Sequence, residues 1–218
     1  MRVATYNVMS ADHGKTINEI RDEITALGIE IIGFQELDNM ARRSGGVNVL
    51  TEICGKDFPY CEYAASMEFD GGYYGIGMAS IHPMKLVKKI HYETEGHEPR
   101  VLMICEVDFN GKKIYAANTH LSYEDHDVRI EQMKVVEKEL SSYSPVILFG
   151  DFNVASFDDY APISLNMVSN PENPMNSFKT GGCIDNIIYS NDFTLLETKI
   201  NDSPSSDHNM IWADISLK

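Results

Sequence analysis

Apolar positions along this chain fall into short runs whose period switches between strand-like and helix-like spacing. Strands are expected at residues 3–7, 31–36, 115–120, 146–149, 183–189 and 210–215; the unbroken run Val146-Ile147-Leu148-Phe149 reads as a strand buried on both faces. Between the first two, Thr16-x-x-Glu19 forms a capping box in front of Ile17, Ile20, Ile24 and Leu27, one apolar stripe on a helix that Gly28 ends. A second helix is expected over residues 46–54, stopped by Gly55, and a third over residues 124–140, where Val128, Met133, Val136 and Leu140 lie near helical spacing with charges opposite. From 69 to 114 the pattern changes to short strands punctuated by glycine and proline, at 78–81, 85–92 and 101–109. Asn110-Gly111 is a hairpin signal joining the last of these to residues 113–121. Residues 158–180, rich in Asn, Pro and Ser and without period, read as a long surface loop. Strands mixed with helices, with no repeat or linker, argue an α/β (α+β) layered fold in one domain spanning residues 1–218.

Composition narrows the partners. With 18 Lys and Arg against 33 Asp and Glu, the formal charge is −15. Such a surface repels phosphate backbones and gives no general hold on nucleic acid, whereas clustered carboxylates welcome divalent cations. Lys85, Lys88 and Lys89 are the one basic cluster, and lysines along a strand suit a solvated edge guarded against pairing. Cys54, Cys61, Cys105 and Cys183 fit no Cys-x-x-Cys spacing and are expected to be buried thiols of a reducing compartment. A strand pattern begins at Val3, and no apolar run approaches the roughly 18 residues of a membrane span. A cytoplasmic monomer without signal peptide or transmembrane segment is the expectation.

Most of these strands also meet a residue suited to metal or phosphate chemistry. Asn7, Glu36 and His120 end their runs, Gly150-Asp151-Phe152-Asn153 follows another, Asp185 opens the next, and Ser206-Asp207-His208 precedes the last. Singly these read as turn formers, caps, a solvated acid or a core histidine; together they make the default hypothesis of polar groups meeting at one pocket. Glu36, Asp151, Asp185 and Asp207 cannot all stay ionised side by side without a positive charge among them. Hard oxygen donors and the lack of a Cys/His tetrad favour Mg²⁺ or Mn²⁺ over Zn²⁺. Glu36 is expected to be the principal ligand, supported by Asn7 and Asp207.

In order, Asn7, Gln35-Glu36, Tyr74-Gly75, Asn118-Thr119-His120, Gly150-Asp151-Phe152-Asn153, Ile184-Asp185 and Ser206-Asp207-His208 resemble the landmarks of the endonuclease/exonuclease/phosphatase superfamily of metal-dependent phosphoesterases. The resemblance covers essentially the whole chain, and Arg43-Ser44-Gly45-Gly46-Val47 and Glu98-Pro99-Arg100 look like its compact bacterial members. It implies a DNase I-like four-layer sandwich, two packed mixed β-sheets flanked by helices, with the active site at one rim. It further implies that Asp151 positions and deprotonates the attacking water and that Asn153 orients that water or the phosphate. His120 and His208 would contact the phosphoryl oxygens, one of them as general acid, with Asp185 fixing the tautomer of His208 and Tyr74 hydrogen-bonding the phosphate. Ile76 stands where many compact members carry Asn, and Asn186 where an aromatic or His is common.

Arg43 and Arg100 could clamp a phosphate or sit in surface ion pairs. His13, His82, His91, His97 and His126 match no site motif, and Trp212 reads as core. The leading function is Mg²⁺-dependent hydrolysis of a small-molecule or lipid-headgroup phosphoester. A nuclease or DNA-repair phosphodiesterase of the same superfamily shares every catalytic residue and is the alternative, disfavoured by charge. A non-catalytic binding module is disfavoured by the completeness of the site.

Overall fold

Two parallel strand pairs organise the molecule. In the computed structural model, which describes residues 1–218, β1 (Arg2–Asn7) runs parallel to β2 (Ile31–Asn39). β12 (Met210–Leu217) and β11 (Phe193–Asn201) extend that pair on one side, and β4 (Gly72–Ser80) and β3 (Tyr60–Phe69) on the other, in the order β11-β12-β1-β2-β4-β3. In the second six-stranded sheet β7 (Lys112–His120) runs parallel to β8 (Val146–Asp151). It is completed by β5 (Met84–His91), β6 (Val101–Phe109), β10 (Asp185–Tyr189) and β9 (Asn166–Met167), in the order β5-β6-β7-β8-β10-β9.

A parallel pair needs a crossover connection, and each receives a helix. α2 (Ile17–Ala26) crosses between β1 and β2, and α4 (His126–Leu140) between β7 and β8; α3 (Val49–Cys54) follows β2. Ile20, Ile24, Leu50 and Ile53 cover Ala4, Tyr6, Ile32 and Phe34 on the outside of the first sheet. Met133, Val136 and Leu140 cover Leu102, Ala117, Leu148 and Ile188 on the outside of the second. Between the sheets lie Val3, Ile31, Ile76, Met103, Phe149, Ile187 and Ile211. Central strands buried on both faces need continuous apolar runs, which is why Val146–Phe149 shows no alternation. The result is the four-layer, two-sheet sandwich that the motifs imply.

The sheets come closest just beneath one rim. A side chain at Gly33 would place its Cβ 2.9 Å from Phe149 Cγ and 3.0 Å from Asn118 Cγ, so only glycine fits. Beside it Gln35 Nε2 donates to Asn118 Oδ1 at 2.7 Å, and Asn118 Nδ2 donates to the carbonyls of Phe34 and Gly77 at 2.8 Å each. These buried amides cross-link the sheets and fix their relative height at the rim.

After β1 the chain enters α1 (Met9–Gly14), a short turn of left-handed backbone: Met9, Ser10, Ala11, Asp12 and His13 all have φ between +43° and +58°. L-residues resist this conformation by roughly 1–2 kcal/mol each. Local hydrogen bonds hold it, with Met9 N donating to Asn7 Oδ1 at 3.0 Å and Arg43 Nη2 to the buried Ser10 Oγ at 2.8 Å. No helix is long and apolar enough to cross a membrane.

Several expectations are corrected. The Thr16 side chain does not cap α2; its hydroxyl donates to Ser205 O at 3.2 Å, tying the helix start to the last turn of the chain. α3 begins at Val49 under an Asn48 cap, not at residue 46. Residues 158–180 are not simply a surface loop, because Val168 and Met175 reach the inter-sheet core and Asn186 pins Ser169 N and O at 2.9 and 2.8 Å. Cys54 and Cys61 are not thiols but a disulfide linking α3 to β3, and of the two free cysteines only Cys105 is buried. The Lys85 and Lys88 ammonium groups of edge strand β5 lie 2.9 and 2.6 Å from Glu106 and Glu139.

Candidate active site

Most groups at the rim come from strand ends. Asn7 ends β1, His120 ends β7 and Asp151 ends β8, while Asp185 opens β10 and His208 lies just before β12. The register places Asp151 opposite both His120 and Asp185, so the second sheet alone gathers three of them. Glu36 arrives by a bulge: the pairing of β2 with β4 slips between Phe34 and Leu37, and Glu36 has φ +59°. The extra residue lets Gln35 point between the sheets while Glu36 turns to Asn7.

Asn7 joins the two halves of the site. Its Nδ2 donates to Glu36 Oε1 and to Asp151 Oδ2, both at 3.0 Å. The donor side of this amide therefore faces the carboxylates, and its Oδ1 accepts from Met9 N. Asp151 is buried; its Oδ1 accepts from Asn153 N at 3.1 Å, and its Oδ2 lies 3.5 Å from His120 Nε2 and 3.8 Å from His208 Nε2. His208 Nδ1 lies 2.8 Å from Asp185 Oδ2. The other Asp185 oxygen, Oδ1, is buried without a partner.

The remaining residues named from the motifs lie around this centre. Asn153, with φ +50°, directs Nδ2 to Leu121 O at 3.0 Å, spanning the ends of β7 and β8. Tyr74 is buried in a small cleft it shares with Ser66, Arg100 and His120. Asp207 stands on the exposed lip, its Oδ1 3.3 Å from Ser206 Oγ. Arg43 is committed to the buried Asp38 through Nε and Nη2, both at 2.7 Å, and lies over the Phe69 ring at 4.4 Å. Arg100 is buried rather than in a surface pair, with Nη1 2.9 Å from His120 Nδ1.

Three supporting residues carry no motif role of their own. Ser206 Oγ donates to Asn7 O at 2.7 Å and accepts from His208 N at 3.1 Å, stitching β1 to the turn that carries His208. Ser177 Oγ accepts from Asp185 N at 3.1 Å, and the Phe178 ring lies 4.9 Å from the His208 ring. Ser206 was visible inside Ser206-Asp207-His208, but Ser177 and Phe178 lie in an aperiodic segment that offers no signal.

Electrostatics separates the groups. Burial, then the adjacent Asp185 charge, pushes the Asp151 carboxyl up to about 7. Burial also raises Glu36, against the Asn7 hydrogen bond and with the Asp207 charge assisting. For His208, burial alone would lower the imidazole, but Asp185, Asp151 and Asp207 together hold it up to about 9. Burial lowers His120 well below an ordinary histidine, with the Arg100 and His208 charges adding to the effect. Burial and the Glu36 charge keep the Tyr74 phenol well above its ordinary range, a neutral donor.

The donor set fits a hard divalent cation. Asp151, Asp185 and His208 offer ligand atoms within 4.8 Å of one another, and Glu36 adds a carboxylate across Asn7. The unpartnered Asp185 Oδ1 and the crowding of acids against few cations are what such an ion relieves.

A model of the Endonuclease/Exonuclease/phosphatase family matches residues 4–208. No curated protein matches the sequence. Among solved structures, the chain is similar to an endonuclease/exonuclease/phosphatase from Beutenbergia cavernae, with TM-score 0.78 and 16% identity, covering 100% of this chain and 71% of that one. It is also similar to a mannosyl-6-phosphatase from Bacteroides thetaiotaomicron (TM-score 0.73, 16% identity, 100% of both chains). D. rerio TDP2 complexed with a single-strand DNA product gives TM-score 0.73 and 17% identity over 100% of this chain and 99% of that one. At these identities the solved structures speak for the fold, and the family model, spanning nearly the whole sequence, speaks for descent: the chain belongs to the Endonuclease/Exonuclease/phosphatase family.

Proposed function

We propose that this protein is a divalent-metal-dependent hydrolase of a small-molecule or lipid-headgroup phosphoester. The observation that carries the reading is the buried Asp151 carboxylate, held by Asn7 at 3.0 Å and faced by the Nε2 atoms of His120 and His208 at 3.5 and 3.8 Å. Burial and the adjacent Asp185 charge raise this carboxyl above the ordinary aspartate range, which makes it a stronger base toward water. Asp151 deprotonates the attacking water, and Asn153 fixes the turn that presents Asp151. His120 and His208 meet the phosphoryl oxygens, where charge grows in the transition state. Asp185 keeps His208 Nδ1 as a donor, and Tyr74 adds a neutral hydroxyl donor at the cleft. Glu36, with Asp207 on the lip beside it, would hold Mg²⁺ or Mn²⁺ against the Asp151 side of the site; Asn7, whose amide N–H groups face Glu36 and Asp151, would orient these carboxylates rather than bind the ion as the motifs imply, and the ion would offset phosphoryl charge and let an anionic substrate approach an acidic site.

Charge favours a compact substrate. The chain carries −15, and two of its three clustered lysines are already paired with acids, leaving little footing for a phosphate backbone. The fold likeness includes both a mannosyl-6-phosphatase and a protein holding a single-strand DNA product, so DNA cleavage is the competing reading. A panel of sugar phosphates, lipid headgroups, phosphodiesters and plain or abasic DNA, assayed after chelation and again with Mg²⁺ or Mn²⁺, tests both. Turnover of small phosphoesters that disappears on chelation and returns with metal is expected. Full turnover in excess chelator removes the metal, and turnover of DNA alone removes the small substrate.

A further inference from the structure

Two histidines of the same rim are held by partners of opposite hydrogen-bonding character. His208 Nδ1 meets Asp185 Oδ2 at 2.8 Å, and Asp185 in its ionised form only accepts, so Nδ1 of His208 carries a proton. His120 Nδ1 instead meets Arg100 Nη1 at 2.9 Å. A guanidinium has five N–H donors, no acceptor, and does not lose its proton in proteins. Nδ1 of His120 must therefore be the lone-pair atom, and the ring's single proton sits on Nε2, which faces Asp151 Oδ2 at 3.5 Å. A doubly protonated His120 would set N–H against N–H and break this contact.

Arg100 is built to stay where it is. Its side chain is 3% exposed, its Nη1 lies 2.9 Å from Glu98 Oε1, which balances the buried charge, and its guanidinium carbon lies 5.9 Å from the Tyr123 ring centroid. Its carbonyl accepts from Tyr92 N at 3.1 Å, anchoring the backbone directly before β6.

We propose that Arg100 is a positioning residue that locks His120 in the neutral Nε2–H tautomer, making His120 a fixed hydrogen-bond donor to the phosphoryl group that neither gives nor takes a proton. The use of His120 on a phosphoryl group rests on the hydrolase reading above; the tautomer does not.

Nitrogen-15 labelling of histidine with two-bond proton–nitrogen correlation reads the tautomer directly in the metal-free chain. His120 is expected to show a bare Nδ1 and a protonated Nε2, and His208 a protonated Nδ1. Arg100→Met, which keeps length but removes every donor, should release His120 into a mixture of tautomers. In that variant kcat should fall roughly 10- to 100-fold, about the loss of one hydrogen bond to a charged group, while KM changes little. Arg100→Lys, which restores a cationic donor, should recover the bare Nδ1 and part of kcat. A protonated Nδ1 on His120 in the unaltered chain overturns the proposal, even if Arg100→Met fails to fold. An Arg100→Met variant with an unchanged nitrogen pattern and unchanged kcat overturns it as well. If no phosphoester is turned over, the hydrolase reading fails, while the spectrum still decides the tautomer.

Discussion

Gly33→Ala should damage both stability and activity, because the active site is divided between two sheets that touch at this residue. The added methyl would stand 2.9 Å from Phe149 Cγ and 3.0 Å from Asn118 Cγ, with Phe149 Cβ closer still. Ordinary carbon contacts are about 3.5–4.0 Å, so the sheets must separate locally by on the order of 1 Å or Phe149 must leave its rotamer. Overpacking of this kind typically costs about 1–3 kcal/mol. The same displacement pulls Asn7 and Glu36, on the first sheet, away from Asp151 and His120 on the second, and a misplacement of about 1 Å can cost ~10²-fold in rate. Urea denaturation of Gly33→Ala, Phe149→Ala and the double variant, with kcat on each, measures the coupling. Truncating Phe149 alone should cost about 3–5 kcal/mol, and the double variant should cost clearly less than the sum because each change relieves the other. A fully stable, fully active Gly33→Ala, or strict additivity in the cycle, would refute the claim that close sheet contact sets the site geometry.

Asp151→Asn should lower kcat by ~10²–10⁴-fold with the fold largely intact, and joining it to His208→Ala should cost less than the product of the two; near wild-type turnover at saturating metal would remove Asp151 as the base. His13→Gly should raise the free energy of unfolding by up to about 1 kcal/mol, since exposed His13 sits at φ +58° where an L-side chain is strained; a lower free energy of unfolding in urea titration would contradict that strain. Asp214 meets Arg2 through two hydrogen bonds of 2.9 and 2.7 Å, and the Arg2 guanidinium holds its carboxyl below the ordinary aspartate range despite partial burial. Because the folded value is depressed, this stabilisation is present above the unfolded value of about 3.9 and is lost as pH falls through the folded one. Asp214→Asn should therefore be less stable than the parent by at most about 1 kcal/mol at neutral pH, the pair being partly exposed, and the gap should close as pH falls through the depressed folded value. A gap that persists unchanged at acid pH would assign the effect to packing.

The central strands were legible because their physical demand is strong. β1, β2, β7, β8 and β12 are buried on both faces, and such strands have no choice but unbroken apolar sequence. β3 and β11 are sheet edges with one face partly in water, so Glu62 and Glu68, or Thr194, Glu197 and Lys199, interrupt the pattern without interrupting the ladder. β4 was shortened in the sequence reading by Gly72, Gly75 and Gly77, residues that disfavour strands in general. Here they let β4 lie against neighbouring backbone and side chains at distances a Cβ would not allow. The segment 158–180 hid Val168 and Met175 for a different reason: isolated anchors in an aperiodic stretch bury themselves without generating any period.

Most of the candidate site residues are legible for the same reason as the strands, since they stand where an apolar run stops or starts. Their chemical individuality is only half legible: the resemblance implies Asp185 as the partner of His208, but nothing in the sequence gives Arg100 to His120. His120 and His208 are one residue type in one kind of place, and nothing adjacent to either distinguishes them. What differs is the partner of Nδ1, Arg100 at a separation of 20 residues and Asp185 at a separation of 23, both delivered by tertiary structure. A donor facing one ring and an acceptor facing the other leave Nδ1 bare on His120 and protonated on His208. One site thus obtains a fixed donor and a proton-bearing group from a single side-chain type. The strand pattern locates the histidines; the hydrogen-bonding partners that the two sheets and their connecting loops bring to them decide what each can do.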